Sequence, residues 1–373
     1  MREPRLDLVV PFYNEEAVLA DFVAALQTQT DHLGRPLSEK ALRLIAVDST
    51  STDRSLEVLE TATHGFKSPE TVVLQEPEKS HTQARMRGCS LALSDESKAE
   101  RPILVGSDAD TIMHPRWLAC VLERLTSGTA DALTCAGTFP ASFWRRVPKL
   151  VRRYADEIGT IFFPKETIAD FGIDVSRALF TERMFLDIGR MPSDCAFAIR
   201  KDAFERAGGY RREYWQDGRE ILAEGWHLKF RLDKTGARVA YEGRTPYATS
   251  PRRMLHEAER LLEGTAYLDG MSKLRHAPEE SQYQALEALS ESYDFAQARK
   301  YIVRNYILLK VITEPDRPEL RTYMGGNSDE ILSRIQCSNR DSAAEIYQLA
   351  DQLLEEYFEC ILSNLRRLRE GHQ

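Results

Sequence analysis

The stretch that decides the fold is RPILVGSDADTIMHP, residues 101–115. Its apolar run, Ile103 to Val105, predicts a buried strand that leads into two carboxylates separated by one residue, Asp108 and Asp110. In an extended chain such residues point to the same side, so both charges would share one place. That crowding costs free energy unless one carboxyl is protonated or a cation lies between them. A hard cation such as Mg²⁺ or Mn²⁺ suits these oxygens and keeps positions for phosphate, although an isolated D-x-D is more often a solvated turn.

Strand-like and helix-like segments alternate on both sides of this stretch. The strand-like segments are LDLVVPF, ALRLIAVD, TVVLQE, RPILVGSD and DALTCAG, and apolar residues at helical spacing follow each of the first four. Asn14 is expected to cap the first helix, Ser51 or Thr52 to cap the second, and Pro115 to open the fourth. This alternation predicts an α/β fold, a mostly parallel sheet with helices on both faces.

Acidic residues follow the carboxyl ends of two predicted strands, where Asp48, Asp108 and Asp110 all fall. Ligands of open α/β sheets bind in the crevice beyond the carboxyl ends of the strands. The sequence therefore predicts a ligand site at this edge of the sheet.

The rest of the chain changes character near Pro251. Before that residue, SDCAFAIRKDAFERAGGY predicts a strand, a helix and a glycine turn, and EGWHLKFRLDKTGARVAYEG predicts a helix followed by a strand. After it, strand patterns vanish and helical patterns continue to the end. We therefore expect an α/β domain over residues 1–250 and an all-helical region over residues 251–373, which could form a homodimer.

Composition excludes several classes of protein. The 373 residues carry a formal net charge of −8, which argues against nucleic-acid binding, and 42% of them are hydrophobic, as in ordinary globular proteins. No N-terminal apolar segment or membrane-length stretch is present, and YIVRNYILLKVI, which contains Arg304, indicates a packed helix. Six scattered cysteines without a C-x-x-C pair indicate buried free thiols and a cytoplasmic location.

Six motifs in order resemble the GT-A fold nucleotide-sugar glycosyltransferases of family 2. They are P-x-Y-N-E at Pro11, Tyr13, Asn14 and Glu15; Asp48 before S-T-D at residues 51–53; Lys79 with A-R-x-x-G at residues 84–88; D-x-D at Asp108 and Asp110; AFAIRKDAFERAGGY; and EGWHLKFRLDKTGARVAYE. The resemblance covers roughly residues 5 to 250. It implies a GT-A fold, a Rossmann-like sheet flanked by helices, with a nucleotide-sugar-binding half over residues 1–112 and an acceptor half over residues 113–250.

The resemblance also implies the reaction and the roles of residues. It implies metal-dependent transfer of a sugar from a UDP- or GDP-sugar to an acceptor hydroxyl on a carbohydrate or small molecule, with inversion, using Mg²⁺ or Mn²⁺. The donor-binding residues would be Pro11, Tyr13, Asn14, Glu15, Asp48, Lys79, Arg85, Ser107 and Asp108. The metal ligands would be Asp110, Asp108 and, as a late third ligand, His256. For Asn14 helix capping is an equal alternative, and an ordinary helical residue is the alternative for His256.

The sequence departs from the family pattern where the general base is expected. Gly225 stands in place of the family's catalytic Asp, and His227 replaces the next Asp. Glu224, ahead of Asp217, is then the favoured base, and Asp194 is a further candidate. Two alternatives stay open, a retaining enzyme that needs no dedicated base and a protein that binds nucleotide sugars without turnover. A nucleotidyltransferase is less favoured, because PFYNEE offers no Gly-rich phosphate-binding loop.

The basic run FWRRVPKLVRRYADEIG, residues 143–159, has two interpretations. The favoured one is the exposed face of an amphipathic helix, and the other is a binding patch for a phosphorylated or lipid-linked acceptor. Arg252 and Arg253 could reach a diphosphate from a closing loop, but a solvated loop explains them equally well.

Overall fold

A computed structural model describes residues 5–38, 41–64, 70–94, 102–159, 169–181, 195–221, 223–264 and 277–370. The chain forms two compact units. The first unit comprises Met1–Thr138, Arg190–Arg212 and Ala223–Thr249, and the second comprises Phe139–Gly189, Glu213–Leu222 and Ser250–Gln373. The expected division of the chain at residue 250 stays a prediction.

The first unit is built on an eight-stranded sheet in the order β3-β2-β1-β4-β7-β6-β8-β5. The strands are β1 (Leu6–Phe12), β2 (Leu42–Asp48), β3 (Glu70–Gln75), β4 (Ile103–Gly106), β5 (Thr111–Ile112), β6 (Ala132–Thr138), β7 (Phe197–Arg200) and β8 (Val239–Thr249). Strands β1, β2, β3 and β4 pair in parallel, as do β6 and β8, whereas β7 is antiparallel to both of its neighbours and β5 is antiparallel to β8. The predicted α/β fold with a mostly parallel sheet is confirmed.

Helices connect these strands and make up the described part of the C-terminal region. They are α1 (Leu19–Gln27), α2 (Ser55–Thr63), α3 (His81–Ser94), α4 (Trp117–Thr126), α5 (Ala141–Arg145), α6 (Lys149–Glu157), α7 (Lys201–Arg206), α8 (Glu224–Lys234), α9 (Arg252–Leu262), α10 (Glu279–Ser292), α11 (Phe295–Ile302), α12 (Leu309–Thr313), α13 (Pro318–Met324), α14 (Ser328–Gln336) and α15 (Ala343–Glu370). A π-helical turn, Val303–Leu308, joins α11 to α12, and a 3₁₀ turn, Gly325–Asn327, joins α13 to α14. The helical character predicted after residue 251 is therefore confirmed for the described residues.

The central strands of the sheet, β1 and β2, are buried on both faces. Alternate residues of β1 divide between two apolar cores: Leu8 and Val10 face the core that contains Phe22 of α1, and Val9 faces the core that contains Ala84 of α3. Because side chains of a strand alternate, a run such as LVVPF, residues 8–12, can be apolar throughout only if both faces are covered. This central position of β1 brings its carboxyl end between those of β2 and β4.

The predicted helix boundaries at Asn14 and Pro115 are wrong. Helix α1 begins at Leu19, so Asn14 lies outside it, and helix α4 begins at Trp117. Helix α2 begins at Ser55, whose backbone N–H donates a hydrogen bond to the Asp53 carboxylate. Asp53 therefore makes the capping bond that we expected from the side chain of Ser51 or Thr52. In each case the motif residue belongs to the preceding loop, which is longer than helical propensity alone predicts.

Apolar and basic segments of the second unit pack as helices. The basic run forms α5 and α6, whose apolar face is buried, and Arg146 and Lys149 pair with the carboxylates of Glu280 and Glu287 on α10. The favoured amphipathic interpretation is therefore confirmed. The segment YIVRNYILLKVI is largely buried around Ile307, and none of the described helices is long and apolar enough to cross a membrane.

All six cysteines are free, as expected, but only Cys89, Cys120 and Cys135 are buried. Cys195 and Cys360 are partly exposed and Cys337 is exposed, so the expectation that all six thiols are buried is wrong.

Candidate active site

Two loops at the carboxyl edge of the sheet are joined by side-chain hydrogen bonds. Pro11 ends β1 in register with Val47 of β2, and Asn14 follows in the left-handed region with φ of +54°, a conformation that Asn tolerates better than most residues. The Asn14 Oδ1 accepts a 2.8 Å hydrogen bond from the Thr52 backbone, and the Glu15 backbone donates a 2.7 Å bond to the Ser55 hydroxyl. The P-x-Y-N-E and S-T-D motifs therefore form one hydrogen-bonded wall of the crevice.

Asp48 lies within this wall at the end of β2. It is 4% exposed, and its Oδ1 accepts a 2.9 Å hydrogen bond from the Ser51 backbone N–H. Its backbone carbonyl also accepts a bond from Glu76, which ties the end of β2 to the segment after β3. A carboxylate held in this way presents a fixed acceptor at the crevice.

Tyr13 and Lys79 form an exposed pair at the same edge. Tyr13 is 39% exposed, the Lys79 ammonium lies 5.0 Å from its ring centroid, and the ammonium is 3.3 Å from the Tyr13 hydroxyl. The pair combines a flat apolar ring with a positive charge, which suits a nucleotide that has a base to stack and a phosphate to neutralise.

Helix α3 carries Arg85 into the interior because Gly88 lets the helix approach the sheet closely. A Cβ atom at Gly88 would lie 2.4 Å from the Val9 side chain, a distance that real Cβ atoms do not adopt. Ala84 and Arg85 of the same helix are fully buried. The A-R-x-x-G motif is thus explained by packing: a small residue and a glycine bring the arginine against the end of β4.

Asp108 is the centre of a cluster of charged and polar side chains. Its Oδ1 accepts a 2.8 Å hydrogen bond from Arg85 Nη2 and lies 3.4 Å from His81 Nε2, and its Oδ2 accepts a 3.2 Å bond from the Cys195 thiol. Burial raises the pKa of Asp108, but the hydrogen bond from His81, the charge of Arg85 and the Cys195 thiol outweigh it and hold that pKa well below its ordinary range. Asp108 is therefore a carboxylate at neutral pH.

Glu224 belongs to the same cluster. It is the first residue of α8, with a side chain 10% exposed, and its Oε1 lies 3.4 Å from Arg85 Nε and 3.6 Å from His81 Nε2. A carboxylate at this helix end is also favoured by the helix dipole. The structure therefore brings together the acid of the D-x-D and the acid next to the missing family Asp, which are 116 positions apart in the sequence numbering.

Asp110 differs from Asp108 in its surroundings. It is half-buried and accepts a 3.3 Å hydrogen bond from the Thr249 hydroxyl of β8, whereas the fully buried Ser107 donates to the backbone carbonyl of Cys195. Within the described residues, no group of three or more acidic, His or Cys side chains is arranged to hold a metal. Mg²⁺ commonly uses one or two carboxylates and takes its remaining ligands from phosphate and water, so the oxygen donors of Asp110 and Asp108 fit such an ion.

The remaining predicted residues are Asp217, His256 and Asp194. Asp217 and His256 belong to the second unit. Asp217 accepts hydrogen bonds from the backbone and guanidinium of Arg219, which lower its pKa, and His256 lies on α9. Asp194 lies outside the described residues, and the roles of all three stay predictions.

Sequence reasoning missed His81 and Cys195. His81 precedes Arg85 by four residues on α3, and residues at this spacing share one face of a helix, so its proximity to Arg85 was available from the sequence. Cys195 offered no such signal, because its contact with Asp108 spans 87 residues.

Comparison with known proteins gives a family match over more than half of the chain. The model of "Glycosyl transferase family 2" matches residues 7–207. Among solved structures, the mannosyltransferase PcManGT from Pyrobaculum calidifontis in complex with GDP-Man and Mn²⁺ is 14% identical over 95% of this chain and 88% of its own, with a TM-score of 0.45. S. aureus TarS 1-349 in complex with UDP-GlcNAc is 15% identical over 99% of this chain and 91% of its own, also with a TM-score of 0.45. No curated protein matches the sequence significantly.

Proposed function

The chain belongs to glycosyl transferase family 2 and is a glycosyltransferase, and we propose that it moves a sugar from a UDP- or GDP-sugar to an acceptor hydroxyl with the help of a divalent metal. One observation carries this proposal. The carboxyl edge of β1, β2 and β4 combines a hydrogen-bonded wall, an exposed aromatic–ammonium pair and two carboxylates of the D-x-D within one unit. A nucleotide diphosphate requires these features: an acceptor for the base, a surface for stacking and a place for a cation.

The donor roles follow from the surroundings of each side chain. Asp48 would accept a hydrogen bond from the N–H group of a uracil or guanine, because its carboxylate is fixed and cannot donate. Tyr13 would stack on the nucleoside, and Lys79 would neutralise phosphate charge. Pro11, Asn14 and Glu15 would shape the wall, Asn14 through its side-chain Oδ1 and Glu15 through its backbone N–H, and Ser107 would hold the turn into Asp108 through its hydroxyl.

Asp110 would hold Mg²⁺ or Mn²⁺, with Asp108 contacting the ribose or the metal. A bound cation would neutralise the departing diphosphate. Asp110 is the proposed main ligand, and Asp108, which accepts bonds from Arg85 and Cys195, is the proposed second ligand. His256 stays proposed as a further ligand.

Glu224 is the proposed general base of an inverting reaction. Its position in the cluster of Asp108 and Arg85 supports it over Asp217, whose carboxylate is exposed and engaged by Arg219. A base must lie within hydrogen-bond reach of the proton that it removes. A retaining reaction would instead leave Glu224 without a role in proton transfer, so a product whose anomeric configuration matches the donor would reject this assignment.

Thermal-shift titration with UDP, GDP and CDP, with and without Mn²⁺, tests the proposed function. Saturating ligand stabilises the native state by mass action, about 2.7 kcal/mol at one hundred times Kd. We expect UDP or GDP to raise the melting temperature in a metal-dependent way, and expect Asp110→Ala to lose this response. Asp21→Ala, on the exposed face of α1, is the control and should keep it. No response of the wild type to any nucleotide would contradict the proposal.

For the acceptor we propose only its chemical class, and for the assembly only the region that forms it. We propose a carbohydrate or small-molecule hydroxyl as acceptor, a cytoplasmic location, and a homodimer formed through the helical C-terminal region. Analytical ultracentrifugation of the full chain tests the dimer, since a monomer at micromolar concentration would exclude it.

A further inference from the structure

We propose that Arg85 is a positioning residue of the transfer reaction, which holds Asp108 and Glu224 in one fixed arrangement. This inference rests on the proposed function, since it concerns the carboxylates assigned to the donor side and to the acceptor side of the same site. Because its own side chain is fully buried, Arg85 would act through these two residues, in place of the direct donor contact that the family resemblance implies for it.

The guanidinium contacts both carboxylates through different nitrogens. Arg85 Nη2 donates to Asp108 Oδ1 at 2.8 Å, and Nε lies 3.4 Å from Glu224 Oε1. His81 Nε2 is 2.8 Å from the same Nη2 and lies at the more exposed side of the cluster. A planar, permanently charged guanidinium suits two carboxylates at fixed angles, whereas a lysine ammonium provides one compact charge on a flexible stem.

The turn that follows α7, residues 207–210, contacts Arg85 and holds its guanidinium in place. The ring centroid of Tyr210, which is 7% exposed, lies 5.7 Å from the Arg85 Cζ, and the rings of Tyr210 and Phe204 form a T-shaped pair with centroids 5.4 Å apart. Arg231 of α8 donates to the carbonyls of Ala207 and Gly209, the latter at 2.6 Å, and so anchors the turn that carries Tyr210. Packing and hydrogen bonding therefore determine the orientation of the guanidinium before any ligand binds.

Loss of this geometry affects the two carboxylates together. Without the guanidinium, two partly buried negative charges, with side chains 28% and 10% exposed, would lose the cation that they share. Their repulsion favours separation. A shift of about 1 Å in a reacting group can lower a rate about 100-fold, which sets the size of the effect to expect.

The test compares Arg85→Lys with a matched control, Arg43→Lys. Arg43 is a similarly buried arginine, whose Nε lies 2.8 Å from Asp7, near the amino ends of β1 and β2 and therefore away from the candidate site. Both variants keep the positive charge but replace the planar guanidinium, with its several N–H donors, by a single ammonium group. With the UDP- or GDP-sugar that stabilises the wild type in the presence of Mn²⁺, we expect Arg85→Lys to lower kcat about 100-fold and Arg43→Lys to leave it within about twofold.

A double-substitution experiment separates positioning from loss of stability. If Arg85 acts through Glu224, then Glu224→Gln should lower kcat much less in the Arg85→Lys background than in the wild type. Should Arg85→Lys fail to fold, Tyr210→Leu removes the ring below the guanidinium and should lower kcat about tenfold, with the donor KM within about threefold.

Each outcome has one meaning. An active wild type in which Arg85→Lys or Tyr210→Leu leaves kcat unchanged, or in which the effects of Arg85→Lys and Glu224→Gln on kcat multiply independently, overturns the positioning role and leaves the proposed function intact. A wild type that releases no nucleoside diphosphate from any UDP- or GDP-sugar overturns the proposed function and the positioning role with it.

Discussion

Substitution of Gly88 by alanine should destabilise the first unit, although alanine is the better helix former. The new Cβ would lie 2.4 Å from the Val9 Cγ1 and 3.1 Å from the Val47 Cγ2, well inside the contact distance of about 3.5–4.0 Å between carbon atoms. Val9 is 1% exposed and cannot turn away freely. Overpacking of this kind costs about 1–3 kcal/mol, and the gain in helix propensity returns about 1 kcal/mol. With the middle of the overpacking range, we expect a net loss of about 1 kcal/mol in the free energy of unfolding, and about 2 kcal/mol at its upper end.

Urea unfolding followed by circular dichroism measures this loss. Gly326→Ala is the control, because Gly326 has nothing within 4 Å of its would-be Cβ and no left-handed φ. That variant should be neutral or slightly more stable. The same displacement of α3 should also weaken the contact of Arg85 with Asp108, so Gly88→Ala should reduce the thermal stabilisation by nucleotide and Mn²⁺.

Removal of the obstructing side chain provides the decisive comparison. Val9→Ala in the Gly88→Ala background should cost less than the sum of the two single substitutions, because each relieves the crowding caused by the other. Strict additivity, or a Gly88→Ala variant as stable as the wild type, would refute the explanation of the A-R-x-x-G motif by close packing.

Three further predictions concern stability and are measured by urea unfolding. Asn14→Ala should cost about 2 kcal/mol, and Asn14→Gly about 1 kcal/mol, because glycine loses the bonds between the loops but keeps the left-handed φ; equal costs would contradict this. Burial raises the pKa of Asp131, but hydrogen bonds from Arg238 outweigh it and lower that pKa below its ordinary value of 3.8. The Asp131 carboxylate therefore stabilises the folded protein at pH values above 3.8, and this stabilisation is lost as the pH falls through the lowered pKa. Asp131→Asn should therefore flatten the decline of stability below pH 4, and an unchanged decline would contradict this. Lys229→Met should cost about 3 kcal/mol because it removes the ammonium that pairs with the Asp233 carboxylate, whose side chain is 7% exposed; replacing both by apolar residues should be nearly neutral, and equal losses would contradict this.

Local sequence patterns predicted most of the fold correctly. Apolar runs and helical spacing gave the order of β1 to β4 and of the helices between them, because the hydrophobic period of an element lies within its own residues. They could not predict the caps, since Asn14 forms hydrogen bonds with residues 37 and 38 positions away in the sequence and not with its own helix. Nor could they predict the antiparallel β7, whose neighbours in the sheet are distant in the chain.

The sequence by itself determined the family of this protein, because six motifs in a fixed order are specific even when each one is weak, and it singled out Asp108 and Asp110 as candidate ligands. Only the tertiary structure decided which groups surround those acids. The contacts of Asp108 with Arg85 and Cys195 span 23 and 87 residues, and Glu224 joins them from the start of α8. Such meetings depend on how helices pack on the sheet, and no local period of the sequence encodes that packing.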